Sequence, residues 1–494
     1  MEDTKWSRRG FLKVAGATGV GLTTIPISWS MAAWGAQGEK TYIKSGGNVM
    51  EEVSSYVSKS GEFTLPPEVA NKAKQHILDT LASIVSGSKF KSGQLAINFA
   101  RSQGGVQEAQ VVGSNILTSA INAAMVNGIM AHADETDDSH EKSNTHPGCS
   151  IVPAALAIAE REQADGWRFL KGVVAGYDIG CRINQSLGVK ILRASNHSTH
   201  AIGGTFGAAA AASALLRLKE TQVRYVFDYA AQQASGISYW VRDTEHIEKA
   251  FVFAGMPARN GVTGAILVHS GFTGVDDCFS GDRNFFDVFS TNPQPELLAE
   301  GLGRQFEIMF TNIKKYSVGS PIQAPLDALS LLIKKHGVKA RNVQSITALL
   351  PSKSVVDNRE MPDVNLQYIL AVTLVDGGLT FEAAHSYKRM KDPAVLEMKE
   401  RVTVVEDPQL ATAGSERTGI VEIVTKDGAK LRELVTKVRG TFENPMTTEE
   451  VETKCRELLK PVLGEERTQK LIDKIWNLER MGNMRELRPL LSAS

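Results

Sequence analysis

The order of helical and strand-forming segments constrains the fold of this chain most strongly. From about Val49 to Val288 apolar residues recur at helical spacing, and Leu65-Pro66-Pro67-Glu68 starts one helix with prolines in its opening turn. After about Gln305, helical segments such as Gln323 to His336 alternate with β-rich ones, namely Val343 to Pro351, Arg401 to Glu406 and Gly419 to Lys426. Helices return after a capping sequence at Thr447. The 494 residues therefore predict a mainly α fold with a smaller α+β domain.

The charge and cysteine content exclude several classes of protein. Lysine plus arginine equals aspartate plus glutamate at 55 each, which gives no support to nucleic-acid or anionic-membrane binding. The four cysteines lie far apart without CxxC spacing, and no HExxH sequence occurs. We therefore predict neither a disulfide framework nor a metal site.

The first 36 residues resemble a targeting segment. Ser7-Arg8-Arg9-Gly10-Phe11-Leu12-Lys13 matches the twin-arginine export motif, a Gly/Ala/Thr-rich run follows from Val14 to Ile27, and small residues near Ala32 to Ala36 fit a cleavage site. The alternative is a chance arginine pair before an apolar helix. We predict that residues 1–36 are a signal peptide, and that the mature protein is periplasmic or otherwise extracytoplasmic and does not span a membrane.

A dense polar loop follows a buried helix. Ala120 to Ala131 is apolar, and His132 to His140 then contains two imidazoles and four carboxylates, shortly before His146-Pro147-Gly148. Histidine and carboxylate side chains are the usual general acids and bases, and crowding shifts their pKa values. The segment predicts a cleft for proton transfer. The alternative is a solvated acidic loop with helix-capping residues.

Three further clusters are candidate binding elements. His197 and His200 precede the glycines of Gly203 to Gly207, which could expose amide groups to an anion at a helix start or could serve close packing. The spacing is not that of a dinucleotide site. Lys249 and Arg259 could clamp carboxylates or be surface residues. Lys314, Lys315 and Tyr316 fall where the composition changes and form either a cleft at a domain junction or a basic linker.

Together these motifs resemble the 2-methylcitrate dehydratase (MmgE/PrpD) superfamily, which also includes cis-aconitate decarboxylase and an iminodisuccinate epimerase. The resemblance runs from about Leu65 to Leu491. The motifs occur in matching order: Leu78-Asp79-Thr80, Asn127-Gly128, His132 to His140, His146-Pro147-Gly148, Gly203 to Gly207, Gly255 to Gly261, Gly271-Phe272-Thr273-Gly274 and Lys314 to Tyr316. It implies a helical domain built from both chain ends (49–305 and 446–494), an α+β lid (306–445), a homodimer, no metal or organic cofactor, and a small polycarboxylate substrate.

The resemblance also implies roles for single residues. The family's acidic position falls on Glu135, its hydroxyl position on Ser139, its loop histidine on His146, and its helix-start histidine on His197 or His200. Its substrate-binding lysine resembles Lys249, and its lid lysine falls on Lys314 or Lys315.

Two departures from the family pattern bear on the reaction. The histidine that usually follows the lid lysine is missing from Ser317-Val318-Gly319-Ser320, and a second histidine is replaced by Phe253. Both departures argue against decarboxylation of cis-aconitate.

The leading hypothesis is a cofactor-free hydro-lyase. His146, or Glu135 or Asp138 with a raised pKa, would remove a proton next to a carboxylate, and Ser139 or a helix-start histidine would assist loss of water. Lysine side chains would bind the substrate and stabilise the developing charge. The alternatives are an epimerase, an isomerase or a decarboxylase of a related acid, and an exported carboxylate-binding protein without catalysis.

Overall fold

The computed structural model describes residues 49–413 and 417–492, and the predicted signal peptide lies outside them. The fold is mainly α with a smaller α+β part, as predicted. Its larger hydrophobic core combines side chains from Val49 to Ile313 with side chains from Met446 to Leu491, so both ends of the described chain build one helical part. A second core from Val318 to Val438 belongs to the α+β part between them.

The helical part is built mostly from amphipathic or fully buried helices. The predicted prolines do start a helix, with Pro67 as its first residue, and the apolar run predicted to be buried is the helix Ala120–Ala131. The helices are Val49–Lys59, Pro67–Gly87, Lys91–Gln103, Ala120–Ala131, Gly148–Arg161, Gly166–Leu187, Val189–Ala194, Thr199–Leu215, Glu220–Gln233, Glu248–Ala250, Met256–His269, Phe285–Phe289, Glu296–Ala299, Thr448–Leu463, Glu465–Trp476 and Arg488–Leu491. Two short antiparallel pairs accompany them, Ala109–Gln110 with Leu117–Thr118 and Ser139–His140 with Thr311–Asn312.

The glycines of Gly203 to Gly207 lie inside a helix rather than before it. The helix begins at Thr199, capped by the Ser198 side chain, so the interpretation of these glycines as an anion-binding helix start is wrong. A Cβ on Gly203 would lie 2.7 Å from the carbonyl oxygen of Gly180. Glycine is needed there because two buried helices approach each other closely, which is the alternative that the sequence left open.

One continuous helical run carries Lys249. Glu248–Ala250 leads through a π-helical turn, Phe251–Gly255, into Met256–His269. Among the described residues, this run is the one helix whose length and hydropathy would suit a membrane span, yet 72% of its most apolar stretch is buried inside the protein. π-Turns often occur at functional sites.

The α+β part has a four-stranded sheet with helices packed beside it. The strand order is Val402–Glu406, Val343–Leu350, Gly419–Thr425 and Lys430–Val435; the first pair is parallel and the other two are antiparallel. A turn at Lys426-Asp427-Gly428 joins the last two strands. The helices are Gln323–His336, Leu366–Asp376, Phe381–Ala384 and Pro393–Lys399.

The C-terminal helices support the polar loop. Thr447 and Glu450 form the predicted capping box of helix Thr448–Leu463. From this helix, the Lys454 Nζ donates to the carbonyl oxygen of Thr136 at 3.0 Å and lies 2.6 Å from Oδ1 of Asp79. The last part of the chain therefore holds the loop that the sequence marks as functional.

Candidate active site

A cavity of about 590 Å³ is lined by residues of both the helical part and the α+β part. The polar loop contributes Glu135, Ser139 and His146, and Lys249 and Phe253 come from the long helical run. His197 and His200 also line the cavity, so the two candidates for the helix-start histidine both face it.

Two lysines bind the carboxylate of Glu135. The Lys249 Nζ contacts Oε1, while the Lys314 Nζ lies 3.2 Å from Oε2 and donates to the Glu135 carbonyl oxygen at 2.9 Å. Burial alone would raise the pKa of Glu135, but the charges of both lysines outweigh burial and hold that pKa well below its usual range. Glu135 is therefore an ionised group between two cations, which opposes its predicted use as a base with a raised pKa.

A short strand pair places the second lysine. Ser139–His140 pairs with Thr311–Asn312, and Lys314 follows two residues later. The Ser139 hydroxyl also accepts a hydrogen bond from Nη2 of Arg417 at 2.8 Å. The loop is thus connected to two separate segments of the chain.

Two histidines share one carboxylate oxygen. Nδ1 of His146 and Nδ1 of His132 lie 3.1 and 3.0 Å from Oδ2 of Asp137. Burial would raise the pKa of Asp137, but the nearby His132, His146 and Lys314 hold it well below its usual range. Burial lowers the pKa of His146 to about 4, although Asp137 opposes that shift. His146 is therefore neutral near pH 7; its Nδ1 carries the proton, and its Nε2 keeps a lone pair.

An aromatic ring separates two of the imidazoles. Phe253 stacks on His200 with ring centroids 3.7 Å apart and on His132 with centroids 4.4 Å apart. Burial, and then the neighbouring His146, hold the pKa of His200 well below its usual range. Nζ of Lys249 lies 5.1 Å from the Phe253 centroid and 5.4 Å from that of Trp240, so aromatic faces stabilise this ammonium group.

The other predicted residues lie outside the cavity lining. Asp138 is buried, and its carboxylate accepts hydrogen bonds from the Gly148 amide at 2.9 Å and the Tyr177 hydroxyl at 2.6 Å, with Nδ1 of His76 at 2.8 Å. These contacts indicate that Asp138 holds neighbouring segments together, which is a structural role. Lys315 pairs with Asp327, Tyr316 contacts Ser330, and Arg259 donates to Asn260. Of the two adjacent lysines, Lys314 contacts the polar loop.

Several residues near the site carry little sequence signal. Asp137 was one of four carboxylates in the loop, and only its position between two imidazoles distinguishes it. No local sequence motif marks Arg417, since its partner Ser139 lies 278 residues away in the chain. His246 is buried beside His132, with ring centroids 5.0 Å apart, and within residues 49–413 and 417–492 neither of its nitrogens has a hydrogen-bond partner.

Two groups of side chains have the spacing of metal ligands. The donor atoms of His132, Glu135 and His246 lie within 4.8 Å of one another, as do those of His132, Asp137 and Cys149. In the first group, lysines already bind Glu135, and their charges oppose a cation. In the second, burial raises the pKa of the Cys149 thiol, which disfavours the thiolate that binds metals. The spacing fits a metal, but the local charges do not.

The fold and the site together define a class of protein: a mainly α protein of two parts, with histidines, carboxylates and lysines around one cavity. The sequence matches the MmgE/PrpD N-terminal domain over residues 51–298 and the MmgE/PrpD C-terminal domain over residues 316–478. The chain belongs to the MmgE/PrpD family.

The proteins to which this chain is similar include decarboxylases and a dehydratase-like protein. The chain is 25% identical over 480 residues to "cis-aconitate decarboxylase-like protein oryM" of Aspergillus oryzae, covering 90% of this chain and 98% of that relative. It is 26% identical over 487 residues to the cis-aconitate decarboxylase of Aspergillus terreus, covering 91% and 96%. A shorter match, 26% over 145 residues, joins 28% of this chain to 29% of "2-methylcitrate dehydratase-like protein oryR" of Aspergillus oryzae.

Proposed function

We propose that this protein is a hydro-lyase that removes water from a small hydroxylated polycarboxylate. The observation that carries the proposal is the position of His146, whose Nδ1 lies 3.1 Å from Oδ2 of Asp137 at one cavity wall, with Lys249 at the same cavity. A neutral imidazole can accept a proton, and a lysine ammonium can bind the carboxylate next to the reacting carbon.

The reaction balances with these residues alone. Nε2 of His146 takes a proton from the carbon next to a carboxylate, and the electron pair moves into that carboxylate as an enediolate, which Lys249 stabilises. The pair then forms the carbon–carbon double bond as the neighbouring carbon–oxygen bond breaks. The proton returns from His146 to the departing hydroxyl, directly or through the Ser139 hydroxyl, and water leaves. Arg417 donates to Ser139 Oγ, which leaves the hydroxyl proton available for this transfer.

The names of the relatives favour decarboxylation as a second candidate. The relatives that match nearly the whole chain are called cis-aconitate decarboxylases or decarboxylase-like, whereas the dehydratase-like relative matches 28% of it. In that reaction a carbon–carbon bond breaks, carbon dioxide leaves, and the remaining electron pair is conjugated with a second carboxylate before it takes up a proton. This route needs a proton donor for its last step, and no base has to act before the carbon–carbon bond breaks. A histidine whose pKa is about 4 is mostly unprotonated at neutral pH, so the site favours the route that begins with a base.

Proton NMR in D₂O distinguishes the candidates. The protein is incubated with a panel of hydroxylated and unsaturated polycarboxylates, and His146→Gln serves as the inactive control. New vinylic signals from a hydroxy acid support the hydro-lyase. Consumption of an unsaturated acid with release of carbon dioxide supports the decarboxylase instead. Deuterium exchange without loss of water points to an epimerase, and binding without turnover at any pH identifies a carboxylate-binding protein; either result overturns the proposed lyase.

A further inference from the structure

The cavity extends beyond the groups that the proposed reaction uses. Leu350, Val356, Met361 and Val364 line it from the α+β part, and none of them can bind a carboxylate or move a proton. All four are buried, with exposed fractions of 5% or less. At about 590 Å³ the cavity lies in the range of sites that enclose drug-sized ligands, which is more space than a small polycarboxylate fills.

The α+β part supplies an apolar wall of four side chains to a lining that is otherwise mixed. Ser139, His146 and Lys249 belong to the helical part, whereas the apolar wall runs from Leu350, the last residue of strand Val343–Leu350, to Val364. Arg359 and Arg417 also line the cavity from the α+β part, and Trp240 and Phe253 line it from the helical part. Ser352 and Ser354, which also line the cavity, are exposed. A ligand with its carboxylates at Lys249 would therefore meet an apolar wall on the side of the α+β part, and solvent lies beyond the two serines.

Two further side chains add uncharged lining to the cavity. Phe253 comes from the long helical run, and Pro321 comes from the α+β part. Neither side chain titrates or forms hydrogen bonds, so both suit a ligand that presents hydrocarbon.

We propose that the substrate is a polycarboxylate with an alkyl substituent longer than a methyl group, whose chain lies against Val356, Met361 and Val364. This inference rests on the proposed function, because it takes the carboxylate end of the ligand to be bound at Lys249. The alkyl chain would gain affinity by leaving water for a buried apolar surface, an effect that grows with chain length.

A homologous series of ligands tests directly whether an alkyl substituent strengthens binding. Hydroxylated tricarboxylates that carry hydrogen, methyl, butyl or hexyl at the same carbon are compared on the mature protein, with Kd measured by calorimetry and turnover measured by NMR. We expect Kd to fall by up to about fourfold for each added methylene, and then to level off when the wall is covered. Equal or weaker binding of the longer members overturns the inference and leaves the proposed lyase intact. Failure of every member to bind overturns both.

Variants of the apolar lining residues show whether the alkyl substituent of the ligand contacts them. Met361→Gln and Val364→Thr should each reduce the preference for hexyl over hydrogen at least fivefold. Val424→Thr, a similar change in the α+β part outside the cavity lining, should leave that preference unchanged. Lys249→Met should abolish binding of the whole series. If the longer members still bind to Lys249→Met as tightly as to the unaltered protein, their affinity is unrelated to this site and the inference fails.

Discussion

Nδ1 of His146 lies 3.1 Å from Oδ2 of Asp137, an oxygen that also accepts from His132. This contact fixes the tautomer of His146 and aims its second nitrogen away from the carboxylate. A base must be oriented as well as deprotonated, and the buried Asp137 provides the orientation.

Replacing His146 should remove most of the turnover. We expect His146→Gln to lower kcat at least 100-fold, because loss of general base catalysis typically costs a factor of 10² to 10⁴. Steady-state kinetics with the substrate identified by NMR provide the measurement. The exposed His336→Gln is a matched control and should keep kcat within about twofold. Turnover of His146→Gln within about tenfold of the unaltered protein would exclude His146 as the base.

The two lysine candidates from the sequence should differ in their effects. Lys249 lines the cavity and contacts Glu135, whereas Lys315 pairs with Asp327 away from the lining. We expect Lys249→Met to lower kcat/KM about 100-fold or more, since it removes a buried charge that binds carboxylate. Lys315→Met should stay within about threefold. Equal losses in both variants would contradict this placement of the substrate.

Buried neutral histidines should make the fold sensitive to acid. Burial lowers the pKa of His76 to about 4, although its hydrogen bond to Asp138 opposes the shift, whereas an unfolded chain keeps the usual value near 6.5. Between these values the unfolded chain binds more protons, so the free energy of unfolding falls as the pH drops from about 6.5 to 4. The shift corresponds to about 3 kcal/mol for this residue.

Urea unfolding at pH 7 and pH 4.5 checks this effect. His76→Gln should lose about 2 to 3 kcal/mol less stability than the unaltered protein between the two pH values, because the other titrating groups are common to both. The same pH dependence in both proteins would show that His76 binds its proton equally well in the folded and unfolded states.

Close helix packing at Gly203 should not tolerate a methyl group. An alanine Cβ there would lie 2.7 Å from the Gly180 carbonyl oxygen and 2.9 Å from Nδ2 of Asn184. Alanine favours helix by about 1 kcal/mol, but we expect the crowding to win and Gly203→Ala to lose about 2 kcal/mol of unfolding free energy. Gly61→Ala, whose added Cβ has no neighbouring atom within 4 Å, should change stability by less than about 0.5 kcal/mol. A Gly203→Ala protein as stable as this control would refute the packing argument.

We propose that the arginine pair near the N-terminus directs export. Changing Arg8 and Arg9 together to lysine should retain the protein in the cytoplasm, because the export machinery recognises the guanidinium pair. Fractionation of cells that produce each form provides the measurement. Undiminished export of the lysine variant would contradict the proposal.

The periodicity of the sequence was enough to predict the fold class. Helix Gln323–His336 has the predicted bounds, and strand Val343–Leu350 ends one residue before the predicted Pro351. Apolar spacing and capping residues act locally, so they can be interpreted without tertiary contacts. Gly203 was harder to interpret, because its role depends on Gly180 in a different helix.

The site was predictable to the extent that its residues lie in one segment. The segment from Glu135 to His146 was marked by its composition, and both of these residues line the cavity. Their partners were not apparent from local sequence, since Lys314 and Arg417 join the loop across 179 and 278 residues. Asp137 and Asp138 have the same side chain but different partners. Asp137 contacts two histidines, whereas Asp138 accepts hydrogen bonds from a buried tyrosine and a backbone amide.

The bond from Lys454 to the carbonyl of Thr136 has a consequence for biosynthesis. A ribosome makes the loop more than 300 residues before it makes this lysine. Each nascent chain therefore passes through a stage in which the loop exists without its support, and a chain that stops short of Lys454 leaves the loop unsupported. The protein gains this contact only after helix Thr448–Leu463 has folded back onto the first half of the chain.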